Sequence, residues 1–245
     1  MPTRTPPRTD LKGKVALITG AGRGIGLAIA CALGAEGCHL VLTGRSLRPM
    51  EKLERELTKQ GIRVLALACD VRHPLAVKAL ARKTRKQFGR VDILINNAGI
   101  AHANLPVTKL PYETWKAVLE TNLNGTFLVT REILPLMRKG STIVNNLSIA
   151  ATRIFPGSSA YIASKHGALG LTNTLREELR PQGIRVIGLL PGATDTEIWN
   201  TLWPKAARNK MMSPQSVAQA LISSLLLPEN STVETLTIAP TGGAL

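Results

Sequence analysis

Tyr161 and Lys165 stand four residues apart, the separation that puts two side chains on one face of a helix. A phenol at its ordinary value near 10 is a poor proton donor or acceptor at neutral pH. An ammonium beside it stabilises the phenolate and draws that value toward neutrality, so the pair reads as a general acid–base unit. Ser148, thirteen residues earlier, closes a short apolar run, where its hydroxyl can hydrogen-bond a substrate oxygen beside the phenol. The spacing alone is common by chance. The chain has only two tyrosines, however, and the other, Tyr112, reads as a surface residue.

A second constellation lies near the N-terminus. Thr19-Gly-Ala-Gly-Arg-Gly-Ile-Gly26 follows an apolar run and opens a helical pattern. Gly20 permits a sharp exit from a strand, Gly22 and Gly24 let backbone approach a pyrophosphate, and Gly26 lets helix and sheet pack tightly. The helix N-terminus, beginning at Ile25, then offers free N–H groups and a positive dipole end to the phosphates. The next strand ends in Thr43-Gly-Arg-Ser46. Sites for NAD usually carry an acidic residue there to accept the ribose hydroxyls. Gly44 stands in that place and Arg45 follows, so a 2′-phosphate meets a guanidinium instead of a carboxylate. Arg23 adds a second cation. The expected cofactor is therefore NADP(H).

These groups need elements to hold them. Short β-branched runs at Val15–Thr19, Leu40–Thr43, Val64–Leu67, Val91–Ile95, Thr142–Leu147, Ile184–Leu190 and Val233–Ile238 alternate with helical patterns. The helices are expected at Ile25–Glu36, Arg48–Gln60, 72–90, Trp115–Met137, Tyr161–Leu179 and Pro214–Leu227. Strands apolar on both faces, separated by helices, predict an α/β fold: one doubly wound Rossmann domain with a seven-stranded parallel sheet covered on both sides. Gly37 and Gly61 are expected to end the first two helices. Residues 1–10 read as a disordered leader and 11–245 as the catalytic domain.

The chain has 245 residues, of which 44% are hydrophobic and 3% aromatic, enough for one large core. No run approaches the roughly 20 apolar residues of a membrane span, and no signal-like segment opens the chain. Three cysteines (Cys31, Cys38, Cys69) suit neither a disulfide framework nor a zinc site, so no metal and a cytoplasmic setting are expected. Thirty-one Lys and Arg against sixteen Asp and Glu give +15, a surface that attracts anions. Seven basic and no acidic residues lie between Arg72 and Arg90. Without aromatic platforms for bases, this run reads as the wet face of a helix whose inner face carries Leu75, Ala79, Leu80 and Phe88, and no specific nucleic-acid binding is expected.

Taken together, the motifs resemble the short-chain dehydrogenase/reductase family over about residues 11 to 243, with a 3-oxoacyl-reductase-like flavour. They come in family order: TGAGRGIG (19–26), CDV (69–71), NNAG (96–99), TNLNGTF (121–127), Ser148, YIASK (161–165) and PGATDT (191–196). The resemblance implies that Asp70 receives the adenine amino group and Val71 packs on the ring. It implies that Asn96, Asn97, Ala98 and Gly99 close over the adenosine ribose. Asn122 would hold a water in a proton relay through Lys165, which also binds the nicotinamide ribose. Pro191, Gly192 and Thr196 would hold the carboxamide, with Thr194 where the family usually has an aliphatic residue. The implied reaction is hydride transfer to a carbonyl while Tyr161 donates a proton and Ser148 steadies the oxyanion.

Residues 197–213 are expected to form a substrate lid, with Trp199, Leu202, Trp203, Met211 and Met212 as its apolar set. Ile154, Phe155 and Pro156 are expected to face it, and His102 is expected at the surface near the rim. Arg153, Lys205, Arg208 and Lys210 place positive charge near the entrance, suiting a small-molecule carbonyl substrate such as an acyl thioester or an apolar ketone. The resemblance also implies a homotetramer or homodimer, with the Gly242-Gly243 pair near the contact. Two rival readings are an NAD-dependent alcohol or sugar dehydrogenase, and a nucleotide sensor or nucleic-acid binder that keeps the fold without chemistry.

Overall fold

The structure, a computed structural model, describes residues 9–243; the rest of the expected leader lies outside the described residues. The elements alternate from the start: β1 (Val15–Thr19), α1 (Gly24–Ala35), β2 (His39–Gly44), α2 (Arg48–Thr58), β3 (Val64–Ala68), α3 (Pro74–Phe88) and β4 (Ile93–Asn96). Then come α4 (Tyr112–Leu119), α5 (Gly125–Ile133), β5 (Thr142–Asn146), α6 (Ser159–Leu179), β6 (Arg185–Pro191), α7 (Trp199–Leu202), α8 (Pro214–Leu225) and β7 (Thr235–Ile238).

The seven strands form one parallel sheet in the order β3-β2-β1-β4-β5-β6-β7. The chain winds outward from β1 in one direction and restarts at β4 in the other, so a crevice opens where β1 and β4 end. The central strands β1 and β4 are buried throughout, whereas the edge strands β3 and β7 are only partly covered. One core cluster joins Ile29 and Leu33 of α1 to Met50 and Leu53 of α2 and Val217 and Leu221 of α8. A second, on the opposite face, joins Val77 and Leu80 of α3 to Val129 and Ile133 of α5 and Leu175 and Leu179 of α6. Helices therefore cover both faces. Among the described residues, no helix is long and apolar enough to cross a membrane.

Four local expectations are corrected. Thr9, assigned to a disordered leader, is buried; its N–H donates to the Leu226 carbonyl and its hydroxyl to that of Leu227, tying this residue to the segment just after α8. Leu75, assigned to the inner face of α3, is 80% exposed; Leu80 is buried as expected, and Val77 and Thr84 are buried beside it. The helix expected over Trp115–Met137 begins earlier, at Tyr112 after Pro111, and is interrupted by a π turn at Glu120–Asn124. The stretch after the last motif, read only as a lid, contains the short helix α7.

Candidate active site

The carboxyl ends of β1, β2, β4, β5 and β6 border a cleft of about 900 Å³. Its walls include Gly20, Gly22, Arg23, Gly24 and Ile25, then Arg45, Asp70 and Val71, then Asn97, Ala98 and Gly99. Ser148, Tyr161 and Lys165 line it, as do Pro191, Gly192, Thr194 and Thr196. Residues scattered over the whole sequence thus share one space. Gly26 and Asn122 do not line it; they pack behind Gly20 and Gly99, which do.

At the glycine turn, Gly20 and Gly24 have φ of +65° and +55°, values that L side chains rarely adopt. A Cβ on Gly20 would lie 3.0 Å from Ala98 Cα, and one on Gly26 would overlap the Gly20 carbonyl and the Asn97 amide. The turn is therefore a bare-backbone cradle, pinned from behind by Asn97, whose Nδ2 donates to the carbonyls of Thr19 (2.9 Å) and Gly20 (3.1 Å). Such a cradle at the start of α1 fits a dinucleotide pyrophosphate. Arg23 and Arg45 are exposed at its mouth. Asp70 faces the cleft with its carboxylate clamped by Arg72, whose Nη2 donates at 2.6 Å. That guanidinium holds the Asp70 carboxyl below the usual carboxylate range.

Two asparagine doublets close β4 and β5, and the period of two in a strand sends their members to opposite faces. Asn96 Nδ2 donates to Asn145 Oδ1 and Thr130 Oγ1, each at 2.9 Å, on the α5–α6 side. Asn146 Nδ2 donates to Asn97 Oδ1 at 2.8 Å on the other, while Asn146 Oδ1 is buried without a partner. Sequence reasoning missed Asn145 and Asn146, although a polar pair ending an apolar strand was a visible signal.

Tyr161 and Lys165 rise from the first two turns of α6 on one face, as their spacing predicts, with Lys165 Nζ 5.6 Å from the centre of the Tyr161 ring. Lys165 is buried at 7% exposure and donates from Nζ to the Asn146 carbonyl at 2.9 Å. Burial lowers its ammonium to about 8. The phenol departs from the expected direction: burial raises Tyr161, and the Ser148 hydroxyl only partly offsets this by hydrogen bonding. The cause is desolvation, which disfavours the phenolate more strongly than its neighbours favour it. Ser148 is set by the one-turn helix that follows it, where its Oγ accepts from the Ala150 N–H at 3.1 Å.

Asn122 sits in the π turn, almost wholly buried. Its Oδ1 accepts from the Ile100 N–H, and its Nδ2 donates to the Ile100 carbonyl and to Ser164 Oγ. Both of its amide protons are used, so a water at this side chain has only an acceptor lone pair to bind.

The lid divides. Ile198, Trp199, Leu202 and Trp203 line the cleft, as do Phe155 and Pro156. Met211, Met212 and Ile154 do not. Met212 instead packs toward the core and its backbone bonds Ala193 and Asp195, and Ile154 is 71% exposed. His102 is not at the surface: it is 2% exposed, with Nδ1 2.7 Å from the Ala103 carbonyl and Nε2 unpartnered. Arg208, expected to charge the entrance, is bound to the Asp195 carboxylate, the Thr196 carbonyl and Asn200.

Residues 14–207 match the short chain dehydrogenase family. An uncharacterized oxidoreductase of Staphylococcus saprophyticus is 35% identical over 236 residues, covering 94% of this chain and 99% of that one. An alcohol dehydrogenase from the archaeon Thermococcus sibiricus, solved with 5-hydroxy-NADP, superposes with a TM-score of 0.88 at 31% identity, covering 94% of this chain and 97% of the other. The 3-ketoacyl-(acyl-carrier-protein) reductase of Brucella melitensis, solved with NADH, superposes at 0.84 and 30% identity, covering 94% and 98%.

Proposed function

The chain belongs to the short-chain dehydrogenase family of oxidoreductases, and from that premise we propose that it is an NADP(H)-dependent reductase of small-molecule carbonyls. The carrying observation is that Ser148, Tyr161 and Lys165 share one cleft with the bare glycine turn. When bound, the dinucleotide supplies the hydride. Gly20, Gly22, Gly24 and Ile25 hold its pyrophosphate, with Gly26 keeping α1 close to the sheet. Asp70, Val71, Asn97, Ala98 and Gly99 line the adenosine side, and Pro191, Gly192, Thr194 and Thr196 line the nicotinamide side.

The chain's own residues do the rest. Tyr161, kept protonated by its burial, donates its proton to the substrate oxygen, and Ser148 hydrogen-bonds the charge that develops there. Lys165, still charged at neutral pH with a value of about 8, stabilises the phenolate left behind. Asn122 ties the π turn to Ile100 and, through Ser164, to the Tyr161 carbonyl, and its remaining Oδ1 lone pair is where a relay water behind Lys165 would bind. Arg45, with Arg23, supports selection of a 2′-phosphate over NAD. A homotetramer or homodimer in the cytoplasm completes the reading; light scattering of the purified chain gives the mass.

The test is NADPH and NADH consumption over a panel of acetoacetyl thioesters, aryl ketones, sugars and steroids. Tyr161→Phe is expected to keep cofactor binding and lose turnover, and retained turnover would refute the assigned acid. Arg45→Asp is expected to raise KM for NADPH at least about ten-fold while sparing NADH, the loss of one charge-assisted phosphate contact. Equal use of both cofactors by the parent chain favours the NAD-dependent reading.

A further inference from the structure

The carbonyl reading leaves the class of substrate open, and the substrate half of the cleft narrows it. Ile149, Phe155, Ile198, Trp199, Leu202 and Trp203 give that half an apolar lining. Trp199 is fixed as a wall because its indole N–H donates to the Thr194 carbonyl at 2.9 Å. Of the four basic residues that the sequence puts near the entrance, Arg208 is spent on the lid, and Lys205 and Lys210 do not line the cleft. Arg153 does line it, one turn beyond Ser148, and is exposed. Among the described residues its side chain has no hydrogen bond and no ion-pair partner.

The other charges of the cleft are placed elsewhere. Lys165 is buried at the reacting end with its Nζ bound to the Asn146 carbonyl, and Arg23, Arg45 and the Asp70–Arg72 pair lie on the adenosine side. Glu197 Oε2 lies beside the glycine turn, 3.9 Å from where a Gly24 Cβ would be. A single uncompensated guanidinium thus borders an apolar chamber. Apolar walls favour a hydrophobic body, and the planar fork of an arginine matches a two-oxygen anion.

We propose that Arg153 is a specificity-determining residue that binds an oxyanion carried by the substrate at a distance from its carbonyl. The substrate is then an apolar ketone bearing a carboxylate or a phosphate, and not a neutral one. This rests on the reductase reading for the carbonyl, but the anion site itself is testable without turnover.

Two matched pairs serve as probes: 4-acetylbenzoate against its methyl ester, and acetoacetyl-coenzyme A against the same acyl group on N-acetylcysteamine. The parent chain is expected to show a KM about five-fold lower for the anionic member of one pair, the scale of an exposed charge pair, with kcat little changed between the members. The first pair reports a carboxylate and the second a phosphate. The ratio is expected to collapse toward one in Arg153→Met, to persist in part in Arg153→Lys and to invert in Arg153→Glu. Independently, benzoate and methyl benzoate are titrated against the tryptophan fluorescence of the full chain with NADP+, where Trp199 and Trp203 report on the chamber. Tighter quenching by benzoate that disappears in Arg153→Met supports the anion site even if no ketone is reduced, in which case the reductase reading alone falls. No anion preference in either readout, or a preference that survives Arg153→Met, overturns the proposal.

Discussion

Lys165 shows at the scale of one residue what the site costs the fold. Its ammonium is buried and titrates at about 8 instead of the usual 10.5, so between those values the folded chain binds fewer protons than the unfolded one. At about 1.4 kcal/mol per pH unit, the burial costs about 3 kcal/mol at neutral pH. The cost is fully present below pH 8 and is relieved as pH rises toward 10.5. Lys165→Met is therefore expected to raise stability at pH 7 by about 2 kcal/mol in urea unfolding, allowing about 1 kcal/mol for the hydrogen bond lost at the Asn146 carbonyl. That gain fades above pH 8, and a variant less stable than the parent at pH 7 refutes the account. In the proposed mechanism the Lys165 charge stabilises the Tyr161 phenolate, so carbonyl reduction is expected to fall as pH rises through about 8.

Among the elements, residues 197–213, the proposed lid, are held from beneath. Arg208 reaches back to Asp195, Thr196 and Asn200, joining the return limb of the lid to the loop after β6 and to α7. The Met212 N–H donates to the Ala193 carbonyl on the same loop. The Arg208–Asp195 pair is partly exposed, so its loss changes global stability by less than about 1 kcal/mol. Its effect falls on position: Arg208→Met is expected to raise the substrate KM several-fold with a smaller change in kcat, and Arg208→Lys to recover part of it. An unchanged KM would show that the lid does not need this fastening. The π turn works in the same way on α4 and α5, because the extra residue in the turn rotates Asn122 inward to meet Ile100 and Ser164.

For the molecule as a whole, the excess of positive charge divides between site and surface. Arg23 and Arg45 face the cleft, whereas Lys78, Arg82, Lys83, Arg85 and Lys86 lie along the exposed side of α3. Among the described residues, none of these five has an ion-pair partner. Replacing Lys78, Arg82 and Lys86 together by Gln is expected to shift stability by less than about 1 kcal/mol and to leave KM for NADPH unchanged. If the triple variant instead loses reduction, α3 takes part in recognition and its reading as a solvated face fails.

Much of this architecture was legible in the residues. Apolar runs separated by helical patterns specify a parallel sheet because each strand must be covered on both faces, and the seven strands stand where those runs are. The glycine turn and the Tyr161–Lys165 spacing were readable for a similar reason: a bare-backbone turn and one helix face are local geometries that a few residues dictate. Tertiary packing decided the rest. Whether desolvation outweighs the groups that favour the Tyr161 phenolate depends on its whole surroundings, as does the burial of His102. The pairing of Asn146 with Asn97 needs two strands brought side by side from distant parts of the chain. Of four cations in and before the lid, contacts tie up Arg208 and placement leaves Arg153 facing the chamber, because a charge is free or spent according to neighbours that lie far from it in the sequence.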